Sequence, residues 1–177
     1  MTNRILLCTY EGEAYLEAQL ASMEGQTESN FRLLLSDDAS TDRSFAIGEA
    51  AAARDERITA IRRESGSGSA ARHFLEGLRD PHFFSAADES DYYLFSDQDD
   101  IWHPDKLAVE ARAMRCLEAC YGKALPLLVH CDMRVVDGAG REIAPSYVRY
   151  QKMSPARRQL RQLLVQNNVT GGAMLMN

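Results

Sequence analysis

Short apolar runs alternate with stretches whose apolar residues fall three or four apart, and this alternation limits the chain to very few folds. Arg4–Thr9 (RILLCT), Phe31–Ser36 (FRLLLS), Arg57–Arg62 (RITAIR) and Asp91–Ser96 (DYYLFS) are too short for helices and read as strands. Between them, Ala14–Met23 reads as a helix on Leu16, Leu20 and Met23. Ser44–Ala53 is Ala-rich and helical, and Ser69–Leu78 is helical with Phe74, Leu75 and Leu78 as its apolar face. Pro104–Cys120 reads as a long helix with proline in its first turn, where a missing N–H costs nothing. Repeated strand–helix units imply an α/β domain built on a mostly parallel sheet flanked by helices. Further on, Leu127–Val136 is a strand that Asp137-Gly-Ala-Gly turns back into Arg141–Ala144, which makes the sheet mixed. Ser154–Val165 reads as a helix and Val169–Met176 as a final strand. Glu64–Ser69 and Asp80–Ser90 read as loops.

Composition narrows the class. The 177 residues suit one domain, 1–177, and 45% hydrophobic residues is too many for a disordered chain. Twenty Lys and Arg against 26 Asp and Glu leave a net charge of −6, which argues against a nucleic-acid partner, because phosphate neutralisation supplies most of that affinity. No run approaches the roughly 18 apolar residues of a membrane span. The apolar start soon meets Glu11 and Glu13 and is too short for a signal peptide, so a cytoplasmic location is expected. Cys8, Cys116, Cys120 and Cys131 form no CxxC pair. Cys116 and Cys120 lie one helical turn apart, as a metal or redox pair or as small residues on a helix.

In open α/β sheets ligands bind outside the carboxyl ends of the strands. Two such ends are crowded with acid: Asp37-Asp38-Ala39-Ser40-Thr41-Asp42 after the second strand and Asp97-Gln98-Asp99-Asp100 after the fourth. Like charges this close repel unless a cation or donors compensate them. At 97–100 the carboxylates suit a hard divalent cation that shares its shell with phosphate oxygens; the other reading is a polar turn capping the helix at Pro104. At 37–42 helix capping and ligand binding both fit, and Asp38 suits the ring N–H of a pyrimidine base. The Gly66/Gly68 loop could approach a phosphate or be a plain surface loop, and Arg72 could pair with a diphosphate or stand free on its helix. His130 and Asp132 share one face of their strand, as a site or around a buried, hydrogen-bonded histidine. Trp102, at the mouth of the acidic loop, could stack on a ring but reads rather as a helix anchor.

In order along the chain come Thr9-Tyr10-x-Gly12-Glu13-x-Tyr15-Leu16-x-x-Gln19-Leu20, Gln26-Thr27, Asp37-Asp38-x-Ser40-Thr41-Asp42 and Ser96-Asp97-Gln98-Asp99-Asp100-Ile101-Trp102. His130-x-Asp132, Val136-Asp137-x-x-Gly140 and Asn168-Val169-Thr170-Gly171-Gly172 follow. This series resembles glycosyltransferase family 2, in its rhamnosyltransferase-like and polysaccharide branch. The resemblance implies a GT-A (Rossmann-like) fold, a nucleotide-diphospho-sugar donor and a Mn²⁺ or Mg²⁺ cofactor. By the same resemblance Thr9, Tyr10 and Glu13 form the first donor-binding segment and Asp38 reads the base. Asp97 and Asp99 match the DxD motif, with Asp99 the direct metal ligand and Asp97 on the metal and the nucleotide-sugar. Arg72 matches an Ala-Arg-Asn position of relatives, here Ala71-Arg72-His73. Glu11 stands where relatives usually carry Asn.

The activity implied is inverting, metal-dependent sugar transfer, with dTDP-rhamnose the donor that the branch suggests. The acceptor implied is a glycan or lipid-linked glycan of a cell-surface polysaccharide, reached by peripheral association with the inner membrane face. Relatives carry their catalytic base in a segment after Thr-Gly-Gly, so the base is expected beyond Asn177 and the chain is expected to be truncated on its acceptor side; Asp132 is the one late candidate. Two other readings stand beside this one. A sugar-phosphate nucleotidyltransferase needs a Gly-rich, Arg-containing loop that Cys8-Thr-Tyr-Glu-Gly-Glu does not supply. A non-catalytic nucleotide-sugar-binding module needs no base.

Overall fold

The computed structural model describes residues 1–84, 88–157 and 159–177. Six strands form one sheet in the order β3-β2-β1-β4-β8-β5. The strands are β1 (Asn3–Thr9), β2 (Phe31–Asp37), β3 (Ile58–Arg62), β4 (Tyr92–Ser96), β5 (Leu128–His130) and β8 (Met174–Met176). β1 to β4 run parallel to one another, and β8 lies antiparallel between β4 and β5. The mostly parallel mixed sheet expected from the alternation is therefore present.

The apolar runs are continuous because this sheet is covered on both faces. Ile5, Leu7, Leu33 and Leu35 point into one core with helices α1 (Leu16–Glu24), α2 (Ser44–Arg54) and α4 (Lys106–Tyr121). Leu6, Cys8 and Leu34 point the other way, toward Phe83 and the Phe74 side of helix α3 (Ala70–Gly77). Ile5, Leu6 and Leu7 are each 0% exposed, so successive residues fill opposite cores. Two glycines set the helix-to-sheet distance. A Cβ on Gly48 would come within 2.9 Å of Leu35, and one on Gly77 within 2.9 Å of Leu6.

The parallel strands all deliver their carboxyl ends to one edge, where Thr9 is level with Asp37 and Asp37 with Arg62. Ser96, the last residue of β4, is level with Leu7. The acidic loops after β2 and β4 both leave the sheet at that edge.

The C-terminal third departs from the expected elements. The single strand expected over 127–136 is two pieces, β5 and β6 (Val135–Val136), and β6 pairs with β7 (Glu142–Ala144) in a separate hairpin. His130 ends β5 and is exposed, and Asp132 lies outside any strand, so the two do not share a strand face. The helix expected over 154–165 shrinks to a turn, α6 (Leu160–Leu163), and another turn, α5 (Tyr147–Tyr150), precedes it. The final strand is only β8, introduced by a 3₁₀ turn at Gly171–Ala173. Elsewhere the changes are small. Leu75, expected inside, is 59% exposed, and His73 and Gly77 are the buried residues of α3. Pro104 stands before the cap of α4 rather than in its first turn. Trp102 is the expected anchor, 4% exposed with the Lys106 ammonium 4.3 Å from its ring centre. Cys116 and Cys120 are exposed free thiols. Part of the Asp80–Ser90 loop falls outside the described residues.

Candidate active site

The β1 and β2 loops are stitched together by their own polar groups. Glu11 Oε1 accepts from Thr41 N (2.7 Å) and Thr41 Oγ1 (2.9 Å), and Ser40 Oγ and Ser44 Oγ accept from Glu11 N and Gly12 N. Glu13 N donates to Asp42 Oδ2, and Arg43 N donates to Glu13 Oε2. Glu13 therefore spends one carboxylate oxygen on the start of α2. Asp42, although burial works the other way, is held below its ordinary pKa by hydrogen bonds from Ser44 and the Glu13 backbone. Glu11 adopts φ +49°, a left-handed conformation in which Asn is favoured over Glu, which gives a physical reason for the Asn of the resembling family.

The β4 loop is tied to the β1 loop through Gln98, a residue that the sequence reading left unassigned. Its Oε1 accepts from Thr9 Oγ1 (2.8 Å) and Tyr10 N (2.7 Å). Gly12 lies against the same amide, so that a Cβ there would stand 2.5 Å from Oε1. Thr9 is thus a buried structural donor, and Tyr10 exposes its ring to solvent. The signal for Gln98 and Gly12 was present in the sequence, as the middle of Asp97-Gln98-Asp99 and as one glycine of the first motif.

Asp97, Asp99 and Asp100 are different in kind. Among the described residues none of their carboxylates accepts a hydrogen bond or forms an ion pair. They do not cap α4, whose Leu107 N is met by Gln26 Oε1 instead. Burial, then the Asp97 and Asp99 charges, push Asp100 up to about 6, and burial and Asp99 push Asp97 up. The 3₁₀ turn before β8 closes this side: a Cβ on Gly172 would lie 2.7 Å from Asp100 Oδ2 and 3.7 Å from Asp97 Oδ2. Chain segments about 70 residues apart thereby meet with only a glycine between them and the acids.

Among the described residues no group of three or more His, Cys, Asp or Glu side chains is placed to hold a metal ion by itself. Mg²⁺ and Mn²⁺ take one or two carboxylates and complete their shell with phosphate and water, so an open, unpaired set is what an ion arriving with a diphosphate needs. The burial and mutual repulsion that raise Asp97 and Asp100 are what a nearby cation would offset.

Asp38 sits at the other end of the edge, 7% exposed, and is fully engaged. Its oxygens accept from Ser67 N (2.8 Å) and Ser67 Oγ (2.7 Å), with Arg63 Nε at 3.2 Å. The 64–69 loop thus folds back onto Asp38, and Gly68 permits it with φ +85°. Arg63 and Ser67 had no sequence signal beyond their loop. Arg72 is not drawn to either acidic cluster. Its side chain is 69% exposed and pairs with Glu76 at 2.8 Å. Asp132 is saturated by Ser146 Oγ (2.6 Å), Val148 N (3.0 Å) and Met133 N (2.8 Å), which outweigh its burial and hold it below its ordinary pKa. It organises α5.

The family model described as "Glycosyl transferase family 2" matches residues 4–121. The chain is 33% identical over 112 residues to the dTDP-rhamnosyl transferase RfbG of Shigella flexneri, covering 63% of this chain and 36% of RfbG. It is 34% identical over 111 residues to the succinoglycan biosynthesis protein ExoW of Rhizobium meliloti, covering 60% of this chain and 32% of ExoW. The chain thus spans about a third of the length of these curated relatives. Its fold matches S. aureus TarS 1–349, solved in complex with UDP, with a TM-score of 0.60 at 23% identity over 78% of this chain and 37% of TarS. It also matches the mannosyltransferase PcManGT from Pyrobaculum calidifontis, solved with GDP-Man and Mn²⁺, with a TM-score of 0.50 at 21% identity over 62% of this chain and 31% of that one. The GT-A sheet with its acids at the carboxyl edge, the motif series and the family match agree, and the chain belongs to glycosyl transferase family 2.

Proposed function

We propose that this chain is the donor-binding part of an inverting, metal-dependent glycosyltransferase that uses a nucleoside-diphospho-sugar. The observation that carries the reading is the set of unpaired carboxylates, Asp97, Asp99 and Asp100, at the carboxyl end of β4. Asp97 and Asp99 would hold a Mn²⁺ or Mg²⁺ ion together with the donor's phosphates. When bound, such an ion offsets the charge that grows on a departing diphosphate. Gly172 lets the turn before β8 close against these acids and so narrows the space in which a sugar can lie. Thr9, Tyr10 and Glu13 fix the floor of the nucleotide site through Gln98 and α2. Asp38 takes up a base N–H when Ser67 yields it a lone pair, and Arg72 reaches a diphosphate by leaving Glu76.

The RfbG relative supports a dTDP-rhamnose donor, and the ExoW relative supports a role in polysaccharide synthesis. A glycan or lipid-linked glycan acceptor at the inner membrane face completes this reading. The reading places the protein in the cytoplasm, on the side where nucleotide sugars are made. No helix among the described residues is long and apolar enough to cross a membrane. The hydrogen bonds that commit Asp132 to α5 favour a second reading, a binding module without chemistry.

Titration calorimetry with dTDP, UDP and GDP sugars, with and without Mn²⁺, tests the proposal. The expected result is binding of a nucleoside diphosphate that Mn²⁺ strengthens and that Asp99→Ala abolishes without unfolding the chain. Failure of every nucleotide to bind with metal present would sink it, and an unchanged affinity in Asp99→Ala would show that the ligand is another residue.

A further inference from the structure

Gln19 stands on α1 at 0% exposure, among the core residues Leu16, Leu20 and Met23 of the same helix. Its Nε2 donates to Ser96 Oγ (2.7 Å) at the end of β4, and that hydroxyl donates in turn to the main-chain oxygen of Asp97 (3.0 Å). Because the Ser96 proton goes to Asp97 O, the hydroxyl can only accept from Gln19, which fixes the amide with Nε2 toward the strand. The other end is unmet: Gln19 Oε1 is buried and has no partner among the described residues. A buried amide oxygen without a donor costs stability, and an unbranched apolar side chain of the same length would carry no such cost. Glutamine is thus a poor choice for holding this core together, and what Nε2 does is the reason for having it there.

Three residues along α1, and so on the same face, Ser22 Oγ donates to Gln19 O (2.7 Å) and accepts from Trp102 N (3.0 Å). That face grips the chain on both sides of Asp97-Gln98-Asp99-Asp100, at Ser96 before it and at Trp102 after it. Past the helix end, Gln26 Nε2 donates to His103 O (2.8 Å) and Thr27 N donates to Pro104 O (2.8 Å), which extends the grip toward α4. The three carboxylates between these anchors accept no hydrogen bond among the described residues, so their placement depends on the main chain that carries them. We infer that Gln19, acting through the Ser96 hydroxyl, is a positioning residue for the metal and the diphosphate. It holds the Asp97 peptide, so that the Asp97 and Asp99 carboxylates are in place before a cation arrives. Carboxylates that repel one another move apart on a loose main chain, and a cation must then order them as it binds. The inference rests on the proposed metal site and adds to it the residue that holds the acid turn from beneath.

The test uses Gln19→Met, which keeps the length and bulk of the side chain and removes both ends of the amide. Ser96 keeps its bond to Asp97 O, so no donor is orphaned, and the denaturant midpoint should stay at the parent's value or rise. Amide hydrogen exchange of the ligand-free chain should nonetheless quicken about fivefold over residues 96–102, the size of one lost hydrogen bond, and stay unchanged in β1 and β2. Calorimetry with dTDP, UDP and GDP as probes reads the factor by which Mn²⁺ strengthens binding. That factor should fall about fivefold in Gln19→Met, while affinity without metal holds. Ser96→Ala should lower it by a similar amount, and Gln19→Met/Ser96→Ala no further than either alone, as two parts of one relay do. A midpoint that drops while exchange over 96–102 is unchanged would make Gln19 an ordinary core residue and overturn the inference. An unaltered Mn²⁺ factor, or effects that add in the double variant, would overturn it as well. A parent chain that binds none of the three probes with Mn²⁺ would count against the proposed function, and the exchange comparison then decides the inference by itself.

Discussion

The amide of Gln98 sits between two carboxylates, yet its hydrogen bonds run away from them, to Thr9 Oγ1 and Tyr10 N. Removing that acceptor leaves both donors without a partner and frees the Asp97–Asp100 turn from the β1 loop. Gln98→Leu should therefore cost about 1–2 kcal/mol in chemical denaturation and weaken nucleotide binding more than the stability loss explains. Gln98→Glu keeps both bonds in acceptor form but adds a charge beside Asp97 and Asp99, so the two variants are compared at a pH low enough to protonate the acids. There Gln98→Glu should lose less stability than Gln98→Leu; if it loses as much, the hydrogen bonds are not what matters. Gly172→Ala puts a methyl 2.7 Å from Asp100 Oδ2, a contact one side must yield. The expected outcome is loss of Mn²⁺-enhanced nucleotide binding by calorimetry with a near-normal circular dichroism spectrum. At this scale the acids and glycines were legible because their spacing is unusual. Ser67 and Arg63 were not, since nothing local distinguishes a serine that folds back onto a carboxylate from one that faces water.

Elements were legible where burial made them so. β1, β2 and β4 carry apolar residues on both faces, and that requirement writes a continuous run which no surface element would need. The C-terminal elements lack it. β5 to β7 are short and mostly exposed, and the 154–165 stretch has helical spacing but no core to receive its leucines, so only one turn forms. The helix α3 shows the opposite error, because its buried side is defined by what is small. Gly77 lets the helix settle on Leu6, while Leu75, apolar by type, faces outward. Gly77→Val should force the helix off the sheet and cost about 1–3 kcal/mol in a denaturant midpoint measurement. Leu75→Gln should be nearly neutral, and a large loss there would mean that the outward face is covered.

For the whole molecule, the sheet couples its two cores to one titratable group that neither core needs. His73 of α3 is 3% exposed, and its Nε2 lies 2.9 Å from Ser36 Oγ on β2. Burial lowers its pKa below the ordinary value of about 6.5. Arg63 adds to that, and Asp38, Asp37 and Glu76 oppose it. Folding therefore keeps His73 neutral over a range in which the unfolded chain takes up a proton. In that range the unfolded state binds more protons, so stability rises with pH and falls as pH drops through about 6.5 toward the lowered value. Asp91 adds a second loss at lower pH. Burial raises its pKa, but hydrogen bonds from Arg4, Asp88 N and Thr2 N outweigh burial and hold it down, so protonation below the ordinary carboxylate range removes stability. The two are separable by where they act. Protonation of Asp100 and Asp97, whose pKa values are raised, adds stability in the same window as the histidine and opposes it. Denaturant unfolding of the parent should therefore show a shallow fall between about pH 7.5 and 6, and a further fall below about pH 4. In His73→Gln the first fall should flatten and the second remain. If His73→Gln loses stability in the upper window as steeply as the parent, the buried histidine is not its source, and the coupling of α3 to the sheet edge carries no proton.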